Sequence, residues 1–313
     1  MQWARIKPWI SVAAALVILG AAGWYACRHR EDLGILWRLD ALSLVEVLAG
    51  IVASLVLGGY QLNVFLRHYE VALPWHRWFG LYLVMSIANI VTPVRGGTGL
   101  AAVYLKSAYG LALGRFALML VATQVLVSLV NAGLALAGVA LSWWLEGVFC
   151  PAALVAALVV LAACLVVFAV PAAPESDRWG WRLVVKAVNG WHALTRQRAL
   201  LARLLAITLA QSLTQTACYA LIYRALGLDV SLAAVITIVP ISIIASLIAI
   251  TPAALGPYDA VLVALPVAYG LTVAQSLAAL LVFRALLLIA SAVLAGVFAF
   301  AVRMPAGEKP PPA

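Results

Sequence analysis

The sequence predicts an all-α polytopic integral membrane protein of about eight transmembrane helices, with two Pro/Gly-broken or re-entrant hairpins from an internal repeat. Three observations lead there. Of the 313 residues, 66% are hydrophobic and 10% charged, with a mean hydropathy of +1.10, whereas soluble domains carry about 25% charged residues. Apolar runs suited to a hydrocarbon core of roughly 30 Å lie near 9–26, 42–66, 78–92, 116–141, 151–170, 201–223, 231–250 and 277–302. Residues 86–111, SIANIVTPVRGGTGLAAVYLKSAYGL, are echoed by residues 246–271, SLIAITPAALGPYDAVLVALPVAYGL.

In chain order, Arg5 and Lys7 precede the run 9–26 as they would in a signal peptide. The run is long and no A-x-A cleavage site closes it directly before Arg28, so an uncleaved first helix is expected. Residues 28–41 (RHREDLGILWRLDA) have balanced charges and read as an interfacial stretch. The run 42–66 carries Glu46, at either an interface or a cavity, and 67–77 (RHYEVALPWHR) is a tight basic turn. The run 78–92 opens the first copy of the echo: Thr92-Pro93, a Gly-rich stretch, then a close on Ala-Tyr-Gly-Leu at 108–111. After 116–141 and 151–170 comes a long connection, 171–200, where Arg178, Arg182, Lys186, Arg196 and Arg198 interleave with Trp179, Trp181 and Trp191. That pattern suits a basic amphipathic helix on the membrane surface. The runs 201–223 and 231–250 lead to the second copy, with Thr251-Pro252 and a close at 268–271. From Pro to Tyr is 16 residues in the first copy and 17 in the second, so one insertion aligns them. The chain is therefore read as one transmembrane domain, 1–304, with repeat halves 42–141 and 201–302 and a disordered tail, 305–313.

Basic residues cluster at Arg5/Lys7, 67–77, 171–203 and Arg303/Lys309, and the positive-inside rule expects all four in the cytoplasm. Eight simple crossings from a cytoplasmic N-terminus would put 171–203 outside. If each Pro-Gly segment also carries the chain across, as two half-helices, all four clusters fall inside and the motifs enter from opposite faces, an inverted repeat. An outside N-terminus with both motifs re-entrant from the cytoplasm gives a parallel repeat instead. The inverted arrangement is favoured, in the cytoplasmic membrane with both termini cytoplasmic. With the basic residues placed in short connections, the net charge of +9 reads as topology and attraction to anionic lipid headgroups, not as nucleic-acid binding.

A helix broken by Pro and Gly at matching places in two halves points to a transporter binding site. Arg95, Gly96, Gly97 and Thr98 follow Pro93; helix N-terminal N–H groups with a guanidinium suit a phosphate diester, while glycines that only pack helices are the alternative. In the second copy Gly256 and Tyr258 lead to Asp259, the only acid between Asp229 and Glu308. An intramembrane carboxylate costs at least ~2.5–3.5 kcal/mol at a helix centre. It therefore needs a partner: Arg95, Arg284, a proton or a cationic headgroup, with capping of the following half-helix compatible with each. Arg284 lies about two turns inside the last run. Gln61, Asn63, Asn89, Gln124, Asn131, Gln211 and Gln215 are neutral polar groups in apolar runs, suited to interhelical hydrogen bonds or a cavity lining. His29, His68, His76 and His192 lie in connections without metal-ligand spacing, and no nucleophile–base pattern is found, so no enzyme, metal or cofactor is expected. Cys27, Cys150, Cys164 and Cys218 are scattered and read as packing residues.

With these motifs the chain resembles the flippase-like membrane family that includes the N-terminal, non-catalytic half of lysyl-phosphatidylglycerol synthases. That family shows a motif P-x-R-x-G-E-x-x-R, a second P-G-G-x-G-x-x-E, and an Arg in the last helix. Here Pro93, Arg95 and Gly97 match the first, Pro252, Gly256 and Asp259 the second, and Arg284 the last, over roughly 10–302. Thr98 stands where the family often has Glu, Ala101 where it often has Arg, and Asp259 where it has the longer Glu. The resemblance implies lipid translocation: an amphipathic, phosphate-bearing lipid moves between leaflets through a central polar cleft. The aminoacyltransferase domain of the synthases is absent, and no Walker motif occurs, so coupling would come from an ion or lipid gradient. The alternative is a non-transporting accessory or scaffold subunit for lipid-biosynthesis enzymes, such as those of hopanoid or glycolipid pathways. Arg95, Gly96, Gly97, Thr98, Gly256, Tyr258, Asp259 and Arg284 are the expected substrate-binding residues, and each hairpin is expected to bury against the other because exposed backbone groups are costly in lipid.

Overall fold

A computed structural model of the protein describes residues 40–92, 96–169, 189–246 and 256–298. The run 9–26, most of the stretch 28–41, Pro93 to Arg95, residues 171–188, Thr251-Pro252 and the tail 305–313 lie outside the described residues. The described residues are helical almost throughout and contain no strand.

Helix α1 spans Ala41–His68, starting where the Asp40 carboxylate accepts from the Ser43 N–H at 3.1 Å. Arg67 and His68 occupy its last turn, where cations suit the helix dipole. α2 (Trp75–Val91) starts directly after Pro74 and is followed by α3 (Gly96–Tyr109). α4 (Leu113–Glu146) stops at Gly147, in the left-handed conformation at φ 71°, and α5 (Pro151–Ala169) completes this part. α6 (Arg198–Ala225), α7 (Leu232–Ala245), α8 (Pro257–Ala264) with its 3-10 continuation Leu265–Tyr269, and α9 (Val273–Phe298) follow. The Ser231 hydroxyl caps α7. Thr272 and Gln275 cap the start of α9 reciprocally, each side chain accepting the other's backbone N–H.

The repeated Ala-Tyr-Gly-Leu is a helix stop in both places. Gly110 and Gly270 lie at φ 69° and 90°, a region open mainly to glycine. The N–H of the next residue turns back to a carbonyl of the last turn, Leu111 to Leu105 and Leu271 to Pro266, each at 3.2 Å.

Five helices, α1, α4, α5, α6 and α9, are long and apolar enough to cross a membrane; α7 and the segment Pro257–Tyr269 are shorter. Of the eight spans expected, five are found among the described residues: the run 9–26 lies outside them, and the runs 78–92 and 231–250 give the shorter helices α2 and α7. In the first hairpin the Asn89 side chain meets Thr98 near the tip, and Arg77 donates to the Tyr109 hydroxyl at 3.3 Å near the open end. In the second, α8 and its 3-10 continuation fold back along α7. In both places the described helices on either side of the Pro-Gly segment lie against each other.

α1 and α6 pack side by side and antiparallel: Gln61 donates to Thr208 at 2.8 Å, Ser54 lies by Gln211 and Gln215, and Val47 by Cys218. α4 lies along α7 at Gly138, where a Cβ would meet the Thr237 nitrogen at 2.6 Å. In the same way α9 lies along α2, with Phe298 against Trp75 and Phe79. The principal partner of each hairpin is therefore the long helix that follows the other hairpin. Burial of one hairpin against the other, expected from the sequence, is not the arrangement among the described residues, since the long helices already supply an apolar cover. α5 packs through Ala153, Ala157 and Cys164 and turns Val155, Val159 and Val166 outward, small residues inside and branched ones toward the acyl chains.

The ends of the bundle differ in charge. Arg67, Arg77, Lys106, Arg115, Arg198 and Arg203 belong to the end where α1 finishes and α6 begins, with Glu70. Asp40, Glu46, Glu146 and Asp229 belong to the other, with Arg224. Glu46 is exposed in the first turns of α1, an interfacial position. Trp191 and Leu194 of the helical residues 189–196 are buried at the basic end, with the Trp191 ring 4.9 Å from that of Phe168.

Candidate functional site

Gly256 precedes α8 at a φ of 120°, a conformation that other residues adopt only at a cost. Pro257 then occupies the first helical position, where its missing N–H is not needed. Asp259, in the first turn of α8, has two uses. Its Oδ2 accepts the Gly256 N–H at 3.3 Å, and its Oδ1 takes both Nε and Nη2 of Arg284, at 2.7 and 2.5 Å. Of the partners open to it in the sequence, Arg284 is the one found among the described residues, and the capping role coexists with the ion pair. The two side chains are 14% and 25% exposed, so the pair is largely withdrawn from the surroundings. The Arg284 guanidinium also lies 5.6 Å from the centre of the Tyr258 ring, within cation–π range. The hydroxyls of Tyr258 and Tyr219 share a hydrogen bond of 3.1 Å, and the Tyr219 ring stacks on Phe283 at 4.5 Å. One network thus joins α8, α9 and α6.

The first hairpin is tied by Asn89. Its Oδ1 accepts the Thr98 N–H at 2.9 Å, satisfying a free donor in the first turn of α3, and its Nδ2 reaches the Thr98 hydroxyl at 3.2 Å. Gly97 faces the backbone of α2: a Cβ there would collide with the Met85 carbonyl and lie 2.8 Å from the Asn89 nitrogen. Its space is filled by α2, so the packing alternative holds for Gly97. Gly96 likewise sits against the Thr92 side chain. Arg95, the cation expected beside these glycines, lies outside the described residues. We expect Asn89→Ala to destabilise the protein by about 1 kcal/mol, as loss of a helix cap does. Thr98→Ala, which leaves the backbone bond in place, should change the thermal midpoint in detergent far less.

Between the two motifs lies a cavity of about 260 Å³ walled by α1, α2, α6 and α9. α2 contributes Tyr82, Ser86 and Asn89, and α6 contributes Gln211, Gln215 and Cys218. Ser54 of α1 and Ser291 of α9 complete the polar lining, beside Phe283 and Leu287. Gln215 reaches Ser54 only at 3.5 Å, the long limit of a hydrogen bond, so its amide retains capacity for another partner; Gln211, equally far from the Ser54 carbonyl, also meets the Tyr82 hydroxyl. Among the described residues the Ser291 hydroxyl has no hydrogen-bond partner. The lining is neutral and rich in both donors and acceptors, chemistry that can solvate a polar headgroup without trapping it.

The cavity touches both motifs: Asn89 lines it and holds Thr98, while Cys218 and Phe283 are chain neighbours of Tyr219 and Arg284. Thr98, Tyr258, Asp259 and Arg284 do not themselves line it; Tyr258, Asp259 and Arg284 are joined to one another, and Thr98 is held by Asn89. Sequence reasoning missed Tyr82, Ser86, Tyr219 and Phe283. A signal was present, since Tyr82, Ser86 and Asn89 recur at i, i+4 and i+7 as a polar stripe on an apolar helix.

A family described as the lysylphosphatidylglycerol synthase TM region matches residues 9–295. No curated protein and no solved structure matches the chain significantly.

Proposed function

The chain belongs to the lysylphosphatidylglycerol synthase TM region family, and from that premise we propose that it is a lipid translocase. An amphipathic, phosphate-bearing lipid moves between leaflets with its headgroup in the cavity between α1, α2, α6 and α9 and its acyl chains outside. The observation that carries the reading is the cavity itself: polar stripes on α2 and α6 and single serines of α1 and α9 line it, and neutral polar groups inside a bilayer call for a polar occupant or a partner. Arg95, adjacent to Gly96 at the start of α3, is the group proposed to meet the phosphate.

The reading includes an inverted repeat. The series α1, α2, α3, α4 corresponds to α6, α7, α8 and α9, each hairpin opening to the opposite end of the bundle. What supports it is reciprocity: α1 pairs with α6, and α4 lies on α7 as α9 lies on α2. Adding the run 9–26 and the longer arm of each hairpin to the five long helices recovers the eight apolar segments of the sequence. The basic end then faces the cytoplasm, in the cell membrane. No catalytic role is assigned to the ion pair, whose groups are engaged with each other.

Purified protein reconstituted into vesicles carrying a fluorescent phosphatidylglycerol analogue tests the proposal. Translocation lets an impermeant reductant quench inner-leaflet dye that stays protected in protein-free vesicles. Quenching no greater than in protein-free vesicles, by correctly folded protein, would favour the accessory-subunit reading.

A further inference from the structure

Where α1 ends and α6 begins, a second cavity of about 230 Å³ opens at the basic end. It is separate from the central one, sharing no lining residue with it. Arg67, His68 and Arg203 line it, and no carboxylate does. Among the described residues neither Arg67 nor Arg203 has an ion-pair partner. Gln197 also lines it and precedes the first residue of α6 without a capping side-chain hydrogen bond. The free N–H groups and dipole of that helix start therefore add to the positive field. Asn63 lines the same space, is 3% exposed, and its Oδ1 has no hydrogen-bond partner among the described residues. A buried amide oxygen left in this way costs about 1–3 kcal/mol, and a hydroxyl or ammonium donor in the cavity would satisfy it. Tyr60, Val64 and Leu200 supply the apolar wall.

We propose that this cavity is a binding site for the phosphodiester headgroup of an anionic membrane lipid: Arg67, Arg203 and the start of α6 hold the phosphate, and Asn63 accepts from the alcohol portion. The volume is below the ~300–1,000 Å³ of sites that enclose a drug-sized ligand, which suits a headgroup whose acyl chains remain in the bilayer. A guanidinium recognises phosphate with paired donors, and Arg67 and Arg203 come from two helices that already pack together. The site stands apart from the translocation pathway, and it holds whether or not the protein moves lipid.

The test is thermal unfolding of the full chain in neutral detergent with added phosphatidylglycerol, phosphatidylcholine or inorganic phosphate. Phosphatidylglycerol is expected to raise the midpoint in a saturable way, and the other two to have little effect. The double variant Arg67→Gln/Arg203→Gln should need on the order of tenfold more lipid or more for the same shift, given the strength of hydrogen bonds to charged groups. Arg67→Lys/Arg203→Lys should retain part of the response. Lys106→Gln/Arg196→Gln, which removes two exposed cations outside the cavity lining, should respond as the unaltered protein does. The proposal is overturned if the two Gln variants respond alike, if phosphatidylcholine gives an equal shift, or if inorganic phosphate does. Unchanged transbilayer movement in the Arg67→Gln/Arg203→Gln variant leaves the translocase reading intact.

Discussion

Asp259→Ala and Arg284→Ala are each expected to destabilise the protein by about 3–5 kcal/mol, the usual cost of stranding one member of a buried pair. That is a large share of the ~5–15 kcal/mol that holds a folded domain together. Two of the three guanidinium nitrogens of Arg284, Nε and Nη2, converge on one carboxylate oxygen while the other oxygen caps Gly256. Loss of Asp259 therefore removes the counter-charge and the cap together. Loss of Arg284 leaves a carboxylate facing an apolar helix. Arg284→Lys should recover little, because a single ammonium cannot reproduce the Nε and Nη2 contacts. Asp259→Asn should keep the cap and lose the charge, so it falls between unaltered protein and Asp259→Ala. The double variant Asp259→Ala/Arg284→Ala should be less damaged than the sum of the single ones, since neither charge is left unpaired. Fluorescence-detected size exclusion after heating reads all five.

Gly97→Ala is expected to be the most damaging glycine substitution in the first hairpin. Its new methyl meets backbone, the Met85 carbonyl and the Asn89 nitrogen, which cannot swing aside as a side chain does. α3 must move off α2, at a cost of about 1–3 kcal/mol for overpacking, and the Asn89–Thr98 bonds break with it. Gly99→Ala provides the contrast: nothing lies within 4 Å of its added Cβ, so the gain in helix propensity of roughly 0.5–1 kcal/mol remains. A Gly97→Ala protein as heat-stable as Gly99→Ala would mean that the close hairpin contact is not made.

The helical membrane architecture was legible because apolar composition and run length alone specify it. The echo between 86–111 and 246–271 was legible too, since each Ala-Tyr-Gly-Leu ends its arm on a glycine at positive φ. The partner of Asp259 was narrowed but not chosen, because Arg284 is 25 positions away and its selection depends on how α9 leans on α8. The covering of each hairpin by a long helix was not legible. It follows from close contacts such as Gly138 on Thr237, and glycine in an apolar helix does not announce which neighbour it admits. The central cavity was half legible. Gln211 and Gln215 share one helix face, but the polar wall opposite them is made of Ser54, Tyr82 and Ser86, residues common enough in membrane helices to pass as packing.

The central claim is that headgroups pass through the cavity between α1, α2, α6 and α9, and filling that cavity tests it most directly. Ser54→Phe places a ring where Gln211 and Gln215 now reach toward Ser54, without touching the Asp259–Arg284 pair. The measurement is transbilayer movement of the fluorescent phosphatidylglycerol analogue in vesicles holding equal amounts of folded unaltered or Ser54→Phe protein. The account predicts movement with the first and its loss, by tenfold or more on the order expected for removal of a transfer path worth about 1.4 kcal/mol, with the second. Equal movement through the filled protein would place the path elsewhere and contradict it.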